Sequence, residues 1–276
     1  MQFHVPEVAS QHRHLLEPLL EELHRFAWEE VACPVCGEAE RRSLAYERFT
    51  VQVQRCGSCE HLYVSPRMPA EAIPVLYGSS YWHDVMLAMG CPPLEERIQF
   101  DYDNALGKLN RDVLPFRQSG RLLDIGGSNG GVVRRAGEMG FRAAGLEPSG
   151  EICDLARRTH GVVMFEGTLA QRAFPDASWD VVLMHDVLEH LLEPRDELRE
   201  IRRILAPGGF LAIETLSSAS LNLADDGTEW TLMNPIEHVN YPDERAGARM
   251  LREAGFRILD LYSPHENNWI AYAEAA

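Results

Sequence analysis

The segment from Arg121 to Pro148 constrains the fold of this 276-residue chain more than any other. It reads RLLDIGGSNGGVVRRAGEMGFRAAGLEP: a short apolar run ending in an acid, a glycine cluster, a helix-like stretch, and a second short run ending in an acid. This alternation predicts a strand, a tight turn, a helix and another strand. The glycines let the chain turn sharply and let a ligand approach the backbone. A helix beginning near Asn129 or Gly130 would point free N–H groups at that ligand.

The acid at the end of the second predicted strand, Glu147, indicates what kind of ligand this is. A carboxylate at that position can accept hydrogen bonds from the two hydroxyls of a ribose, so the unit predicts a site for an adenosine-type cofactor. A dinucleotide-binding fold would need the pattern G-x-G-x-x-G. Neither the register from Gly126 nor the register from Gly127 fits that pattern.

Four of the six cysteines form two C-x-x-C pairs, Cys33 with Cys36 and Cys56 with Cys59. Two such pairs at this separation are typical of a tetrahedral structural Zn²⁺ site, whereas a redox motif would need only one pair. Sulfur fills all four positions, so the metal would have no open site for chemistry and would staple a lobe too small to fold by its core alone. Cys91 and Cys153 are expected to be ordinary small apolar side chains.

The charge balance limits the partners. With 26 basic and 42 acidic residues the formal charge is −16, which disfavours nucleic acids and anionic membranes as partners. No apolar run approaches the length of a membrane span, and the N-terminus lacks a basic leader, so a soluble cytoplasmic protein is expected. Leucines at helical spacing in residues 7–30 predict an amphipathic helix that either docks on its own chain or forms a homodimer.

The remaining pattern divides the chain into four parts: an N-terminal helix (1–30), a zinc ribbon (31–66), a helical lid or linker (67–118) and a cofactor-binding domain (119–276). In the last part, strands and helices alternate regularly, which predicts an α/β fold with a parallel sheet covered by helices on both faces. The two final runs, Phe256 to Tyr262 and Trp269 to Ala273, predict an antiparallel hairpin.

Several stretches carry a family resemblance. Asp124 to Gly130 resembles motif I of the class I S-adenosylmethionine-dependent methyltransferases, although Ser128 stands where that family most often has its middle glycine. Further stretches that resemble family motifs follow in the expected order, at residues 174–182, 186–190, 203–211 and 237–241. A four-cysteine ribbon ahead of this domain is similar to the zinc-ribbon subgroup, which includes sugar C-methyltransferases. The resemblance implies a doubly wound, mostly parallel, seven-stranded Rossmann-like sheet with an antiparallel C-terminal hairpin.

The resemblance also implies roles for individual residues. The methionine part of S-adenosylmethionine would lie against the glycine turn, its ribose on Glu147, its adenine between Pro148 and Gly167 to Leu169, and its sulfonium beside His185. The residues implied for the cofactor are Asp124, Gly126, Gly127, Ser128, Gly130, Glu147, Pro148, Thr168, Leu169 and His185, with Tyr81 of the lid.

The candidate proton acceptors are His190, Glu237 and His238. In the sugar C-methyltransferases, a Glu-His pair at the place of Glu237-His238 is thought to remove a carbon-bound proton. His190 has a second interpretation, as a residue that caps or packs at a helix start.

The activity implied is methyl transfer from S-adenosylmethionine to a small molecule, with carbon slightly favoured as the acceptor atom and a natural product or sugar as the substrate type. O- or N-methylation of a small metabolite is the first alternative. A nicotinamide-dependent reductase would explain Asp124 and Glu147 but not the missing glycine pattern. A cofactor-binding module without turnover is the third alternative.

Overall fold

The computed structural model describes residues 13–48, 50–78, 81–86, 93–219 and 234–275. Residues 1–12 of the predicted N-terminal helix, Cys91 and parts of the predicted lid lie outside the described residues. None of the helices that these ranges contain combines the length and apolarity needed to cross a bilayer.

A seven-stranded sheet forms the centre of the fold and confirms the predicted α/β class. Its strands are β4 (Arg121–Ile125), β5 (Arg142–Glu147), β6 (Val163–Glu166), β7 (Trp179–His185), β8 (Leu205–Leu216), β10 (Phe256–His265) and β11 (Asn268–Ala275). The spatial order is β10-β11-β8-β7-β4-β5-β6, with β4 to β8 parallel to one another. Strand β11 runs antiparallel to β8 and to β10, so the predicted C-terminal hairpin is present.

Helices cover both faces of this sheet. The described helices are α1 (Arg13–Leu23), α2 (Ile73–Leu76), α3 (Leu94–Asp112), α4 (Gly131–Glu138), α5 (Gly150–His160), α6 (Pro194–Ile204) and α7 (Glu244–Glu253). Short 3-10 turns occupy residues 70–72, 169–171 and 188–190, and a π turn occupies 81–85. Leu109 of α3 packs with Leu122 and Leu183 on one face, whereas Ile201 of α6 packs with Leu123 and Val182 on the other. Successive strand residues point to opposite faces, so both Leu122 and Leu123 are fully buried.

A second, four-stranded antiparallel sheet contains the predicted ribbon. Its order is β1 (Arg42–Arg48), β2 (Val51–Cys56), β3 (Leu62–Val64) and β9 (Asn240–Tyr241). Strand β9 comes from the C-terminal part of the chain, so residues outside the predicted ribbon range complete the ribbon sheet. Leu19 and Leu23 of α1 are buried in the same apolar cluster as Leu62 and Tyr241. The described part of the N-terminal helix therefore docks on its own chain.

Candidate functional site

The glycine turn lies where β4 separates its two parallel neighbours, β5 and β7. In doubly wound sheets, ligands bind at such a topological switch point, at the carboxyl ends of the strands. Gly126 has a φ of +71°, and a Cβ added there would meet Cγ2 of Val187 at 2.4 Å. Gly127 packs so closely on β5 that an added Cβ would stand 3.2 Å from Cα of Gly145. A side chain at Gly126 would collide with Val187, and one at Gly127 would be crowded by β5, so the two glycines keep the backbone at the mouth of the crevice open to a ligand.

Two buried acids end the strands on either side of this turn. Glu147, which is 4% exposed, accepts hydrogen bonds from the backbone N–H of Ser128 (3.2 Å) and of Ser149 (3.0 Å). Burial raises the pKa of Glu147 to about 7, although these two N–H donors act in the opposite direction. Burial likewise raises the pKa of Asp124 to about 6. A cationic or hydroxyl-rich ligand would offset the desolvation cost of these two buried carboxylates.

One cavity of about 1480 Å³ joins most of the residues that the sequence singled out. Its wall includes Asp124, Gly126, Gly127, Ser128, Glu147, Pro148, Thr168, Leu169, Tyr81, His185, His190 and Glu237. Gly130 lies off this wall, packed against Val162 and Ala156, where its φ of +79° starts helix α4. His238 also lies off the wall, with its ring centroid 4.7 Å from that of His190.

A polar cluster also lines this cavity. Nδ1 of His190 lies 3.0 Å from the hydroxyl of Tyr77 and 3.1 Å from the backbone carbonyl of Glu237. The Tyr81 hydroxyl donates to one oxygen of the Glu237 carboxylate, and the Asn234 amide donates to the other at 2.5 Å. The structure thus places Tyr81, which the sequence assigned to the cofactor, on the candidate base.

Burial sets the protonation states in this cluster. It lowers the pKa of His190 well below the usual value, and the neighbouring His238 lowers it further, so His190 is neutral at pH 7. The backbone carbonyl can only accept a hydrogen bond, so a proton on Nδ1 satisfies it and leaves the lone pair on Nε2. Burial raises the pKa of both tyrosines well above 10, which keeps both hydroxyls protonated. Tyr81 then donates to Glu237, whereas the Tyr77 oxygen accepts from the proton on Nδ1 of His190. Behind the wall, burial raises the pKa of Glu189 to about 8.

The sequence interpretation missed Asp112, which contacts His185 of the cavity wall. Asp112 ends α3, is 1% exposed, and accepts hydrogen bonds from Nε2 of His185 (2.9 Å) and from the Tyr272 hydroxyl (2.9 Å). Its neighbour Arg111 also donates to it. Burial alone would raise the pKa of Asp112, but the hydrogen bonds from Arg111 and His185 lower it overall. No local motif marks Asp112, because its partners come from strands more than seventy residues further along.

The four ribbon cysteines come together outside the cavity. Sγ of Cys33 lies 3.5 Å from Sγ of Cys59, and Sγ of Cys36 lies 3.5 Å from Sγ of Cys56. All four sulfurs lie within 4.8 Å of one another. This spacing suits four thiolates around one tetrahedral ion. Cys153 is buried elsewhere, on the inner face of helix α5.

Comparisons with known proteins identify the family of the chain. The family model described as a methyltransferase domain matches residues 98–261. A ubiquinone biosynthesis O-methyltransferase of Caulobacter sp. (strain K31) is 32% identical over 151 residues, which cover 49% of this chain and 58% of that protein. A second protein of that name, from Bradyrhizobium diazoefficiens, is 27% identical over 144 residues, or 49% of this chain and 57% of the relative. The chain thus spans less than two thirds of the length of these relatives.

Solved structures share the fold at low sequence identity. A SAM-dependent methyltransferase from Archaeoglobus fulgidus superposes with a TM-score of 0.53 at 16% identity, covering 65% of this chain and 97% of that one. Another, from Aquifex aeolicus, has a TM-score of 0.50 at 19% identity and covers 66% of this chain and 98% of that one. Because the family model matches more than half of its 276 residues, the chain belongs to the methyltransferase domain family.

Proposed function

We propose that this protein transfers a methyl group from S-adenosylmethionine to a small-molecule acceptor. The observation that carries the proposal is that a single cavity joins the glycine turn and Glu147 to the cluster of Tyr77, His190 and Glu237. We call the residues around the glycine turn and Glu147 the cofactor wall, and Tyr77, His190 and Glu237 the acceptor wall. A cofactor on the first would share one cavity with the titratable groups of the second. Membership of the methyltransferase domain family supports the same activity.

The residues on the cofactor wall fit S-adenosylmethionine. Glu147 presents a buried carboxylate that can accept two ribose hydroxyls, and its pKa of about 7 lets such donors stabilise the charged form. Gly126 and Gly127 leave the backbone bare where a Cβ would collide with Val187 and Gly145. When bound, the cofactor supplies an activated methyl group on a sulfonium leaving group. The task of the chain is to align an acceptor with that methyl and to exclude water.

The acceptor wall can take up a proton. Neutral His190 offers a lone pair on Nε2, and Glu237 offers a carboxylate held in place by Tyr81 and Asn234. In this scheme the acceptor loses its proton to this wall as its nucleophilic atom takes the methyl. His238 lies behind His190 and acts through it, since it does not line the cavity.

Two acceptor atoms are candidates. The curated relatives named O-methyltransferases favour oxygen, and the acceptor wall suits a hydroxyl that must lose a proton. The adjacent Glu237 and His238, which resemble the base of sugar C-methyltransferases, favour carbon on a natural-product or sugar-type substrate. We propose oxygen as the acceptor atom and keep carbon as the second candidate.

We also propose that the ribbon cysteines hold a structural Zn²⁺. The support is the donor set itself, four thiols whose sulfurs lie within 4.8 Å of one another. Since sulfur fills the tetrahedron, the ion would take no part in methyl transfer.

Transfer of a carbon-13-labelled methyl group tests this proposal. The protein is incubated with labelled S-adenosylmethionine and a panel of phenols, small acids, amines and nucleotide-linked ketosugars, and the product is read by its carbon chemical shift. A methoxy resonance would establish oxygen as the acceptor atom, and an aliphatic methyl resonance would establish carbon. If the protein binds NADH but not S-adenosylmethionine in calorimetry, the proposal is wrong and a reductase replaces it.

A further inference from the structure

The ribbon sheet holds the chain segment that carries Glu237 and His238. Strand β3 begins just after Cys59 and pairs antiparallel with β9, with Leu62 opposite Tyr241. The backbone N–H of Val64 also donates to the carbonyl of Val239 at 2.9 Å. Val239 directly follows His238, so one strand of the ribbon is bonded to the candidate base segment itself.

A second set of contacts ties Arg67, which directly follows the predicted ribbon, and strand β9 to the turn that follows His190. The Arg67 side chain, from a residue that is 5% exposed, donates to the carbonyl of Leu192 and pairs with Glu193. The side chain of Asn240, on β9, donates to the carbonyl of Leu191. The ribbon sheet therefore contacts both loops of the acceptor wall.

The backbone pairing of the cofactor wall lies in a different sheet. Glu147 and Gly127 belong to β5 and to the turn after β4, which pair only within the seven-stranded sheet among the described strands. None of the described strand pairs joins the ribbon sheet to the seven-stranded sheet. The ribbon therefore holds the acceptor wall by backbone hydrogen bonds, whereas it is connected to the cofactor wall only by packing, through the apolar cluster that Cys33 and Cys56 share with Ile125 and Leu146. We expect loss of order in the ribbon to affect the acceptor wall first.

We propose that the four-cysteine metal site positions the acceptor wall of the cavity and leaves the cofactor wall unaffected. The division into two walls rests on the proposed function. A lobe stapled by four thiolates loses its order when the metal leaves. Strand β9 has only two residues and cannot keep an extended shape without its partner β3. The metal ligand Cys59 thus acts on Glu237 through β3 and β9, as a positioning residue.

Hydrogen exchange measured by mass spectrometry tests this inference without any acceptor. Peptides from the zinc-loaded protein are compared with those from protein depleted by a chelator. We expect protection in residues 234–241 and 186–193 to fall about tenfold or more, whereas residues 121–131 and 142–149 keep their protection. Persistent protection of residues 234–241 after zinc has left would overturn the inference, and so would equal loss in both walls.

Variants separate this coupling from general destabilisation. Cys59→Ser should reproduce the chelator pattern, whereas Cys153→Ser, which removes a buried thiol outside the ribbon, should leave residues 234–241 protected. Asn240→Ala should keep about one zinc per chain and yet raise exchange about tenfold in residues 186–193. Unchanged exchange there would overturn the link through β9.

Calorimetry with S-adenosylhomocysteine distinguishes this inference from the proposed function. We expect the zinc-depleted protein to bind this probe within about threefold of the zinc-loaded affinity. A much larger loss of affinity on depletion would overturn the selective effect. Absence of binding to the zinc-loaded protein would refute the proposed function instead, while the exchange comparison still decides whether the ribbon holds residues 234–241.

Discussion

Replacing Glu147 by alanine should weaken cofactor binding without unfolding the protein. Its carboxylate is 4% exposed, lies on the cavity wall and is oriented by the N–H groups of Ser128 and Ser149. In Glu147→Ala, water at the cavity wall can satisfy both N–H groups, so the loss falls mainly on the bonds to the ribose hydroxyls. Charge-assisted bonds of this kind predict a loss of about 1–3 kcal/mol in binding free energy. The dissociation constant for S-adenosylmethionine should rise about 5- to 150-fold in calorimetry.

Glu166 provides a matched control, because it ends the next strand, β6, directly opposite Glu147 in the parallel register. It is exposed and does not line the cavity, so Glu166→Ala should leave the affinity unchanged. Equal affinities in wild type and Glu147→Ala, or equal losses in both variants, would refute the assignment of the ribose to Glu147.

The pH dependence of binding gives a second readout for the same residue. Only the carboxylate can accept both hydroxyls, and the pKa of Glu147 in the unliganded protein is about 7. Affinity should therefore fall as the pH decreases below this value, by up to about tenfold per unit. The same series in Glu147→Ala should lack this decline; a persisting decline would assign it to another group.

Three further predictions concern catalysis and stability. Glu237→Gln should reduce turnover about 10²- to 10⁴-fold while calorimetry finds unchanged cofactor affinity, and full activity would exclude Glu237 as the base. Gly247→Ala, whose added Cβ would lie 2.4 Å from Cη2 of Trp269, should cost about 1–3 kcal/mol in the free energy of unfolding, measured in urea. Its control Gly137→Ala, with open space around the added Cβ, should instead gain about 0.5–1 kcal/mol, and equal effects would contradict the packing argument. Folding raises the pKa of Glu147 from 4.5 to about 7, so the folded protein binds a proton at this carboxylate more tightly than the unfolded chain does. The free energy of unfolding should therefore fall as the pH rises from 4.5 to about 7. In Glu147→Gln, urea titrations of the unliganded protein should show this pH-dependent decrease in the free energy of unfolding reduced by about 3 kcal/mol. An unchanged pH dependence would contradict the assignment of the raised pKa to Glu147.

The cofactor half of the cavity could be predicted because its chemistry is local in sequence. The turn at Gly126, the acid at Glu147 and the spacing of the strands all lie within one strand-turn-helix-strand unit, so backbone geometry alone brings them together. The structure also explains why the family most often has glycine where this chain has Ser128. Its φ of 45° is left-handed, a conformation in which glycine is the least strained residue.

For the acceptor wall of the cavity, the sequence could predict which kinds of residue take part but not how they contact one another. Tyr77, His190 and Glu237 come from three separated segments, and their contacts depend on how those segments pack. The register of β3 on β9 follows from long-range pairing across much of the chain, which no local pattern encodes. For the same reason, the predicted ribbon range ended at residue 66, whereas the structure extends the ribbon sheet to Asn240 and Tyr241.

The position of Asp112 illustrates a further limit. An aspartate at the end of a long helix is unremarkable in a sequence, but here α3 carries it onto the carboxyl edge of the sheet beside His185. Such a pair fixes which ring nitrogen of the histidine carries the proton. The proximity of Asp112 to His185 becomes apparent only from the packing of α3 on β4 and β7.

The most direct test of the account is a crystal structure with S-adenosylhomocysteine bound. We expect both ribose hydroxyls to lie within about 3.2 Å of the Glu147 carboxylate and the sulfur to face Tyr77, His190 and Glu237 in the cavity. A ligand bound elsewhere, or one whose sulfur points away from these three residues, would contradict the proposal that methyl transfer takes place in this cavity.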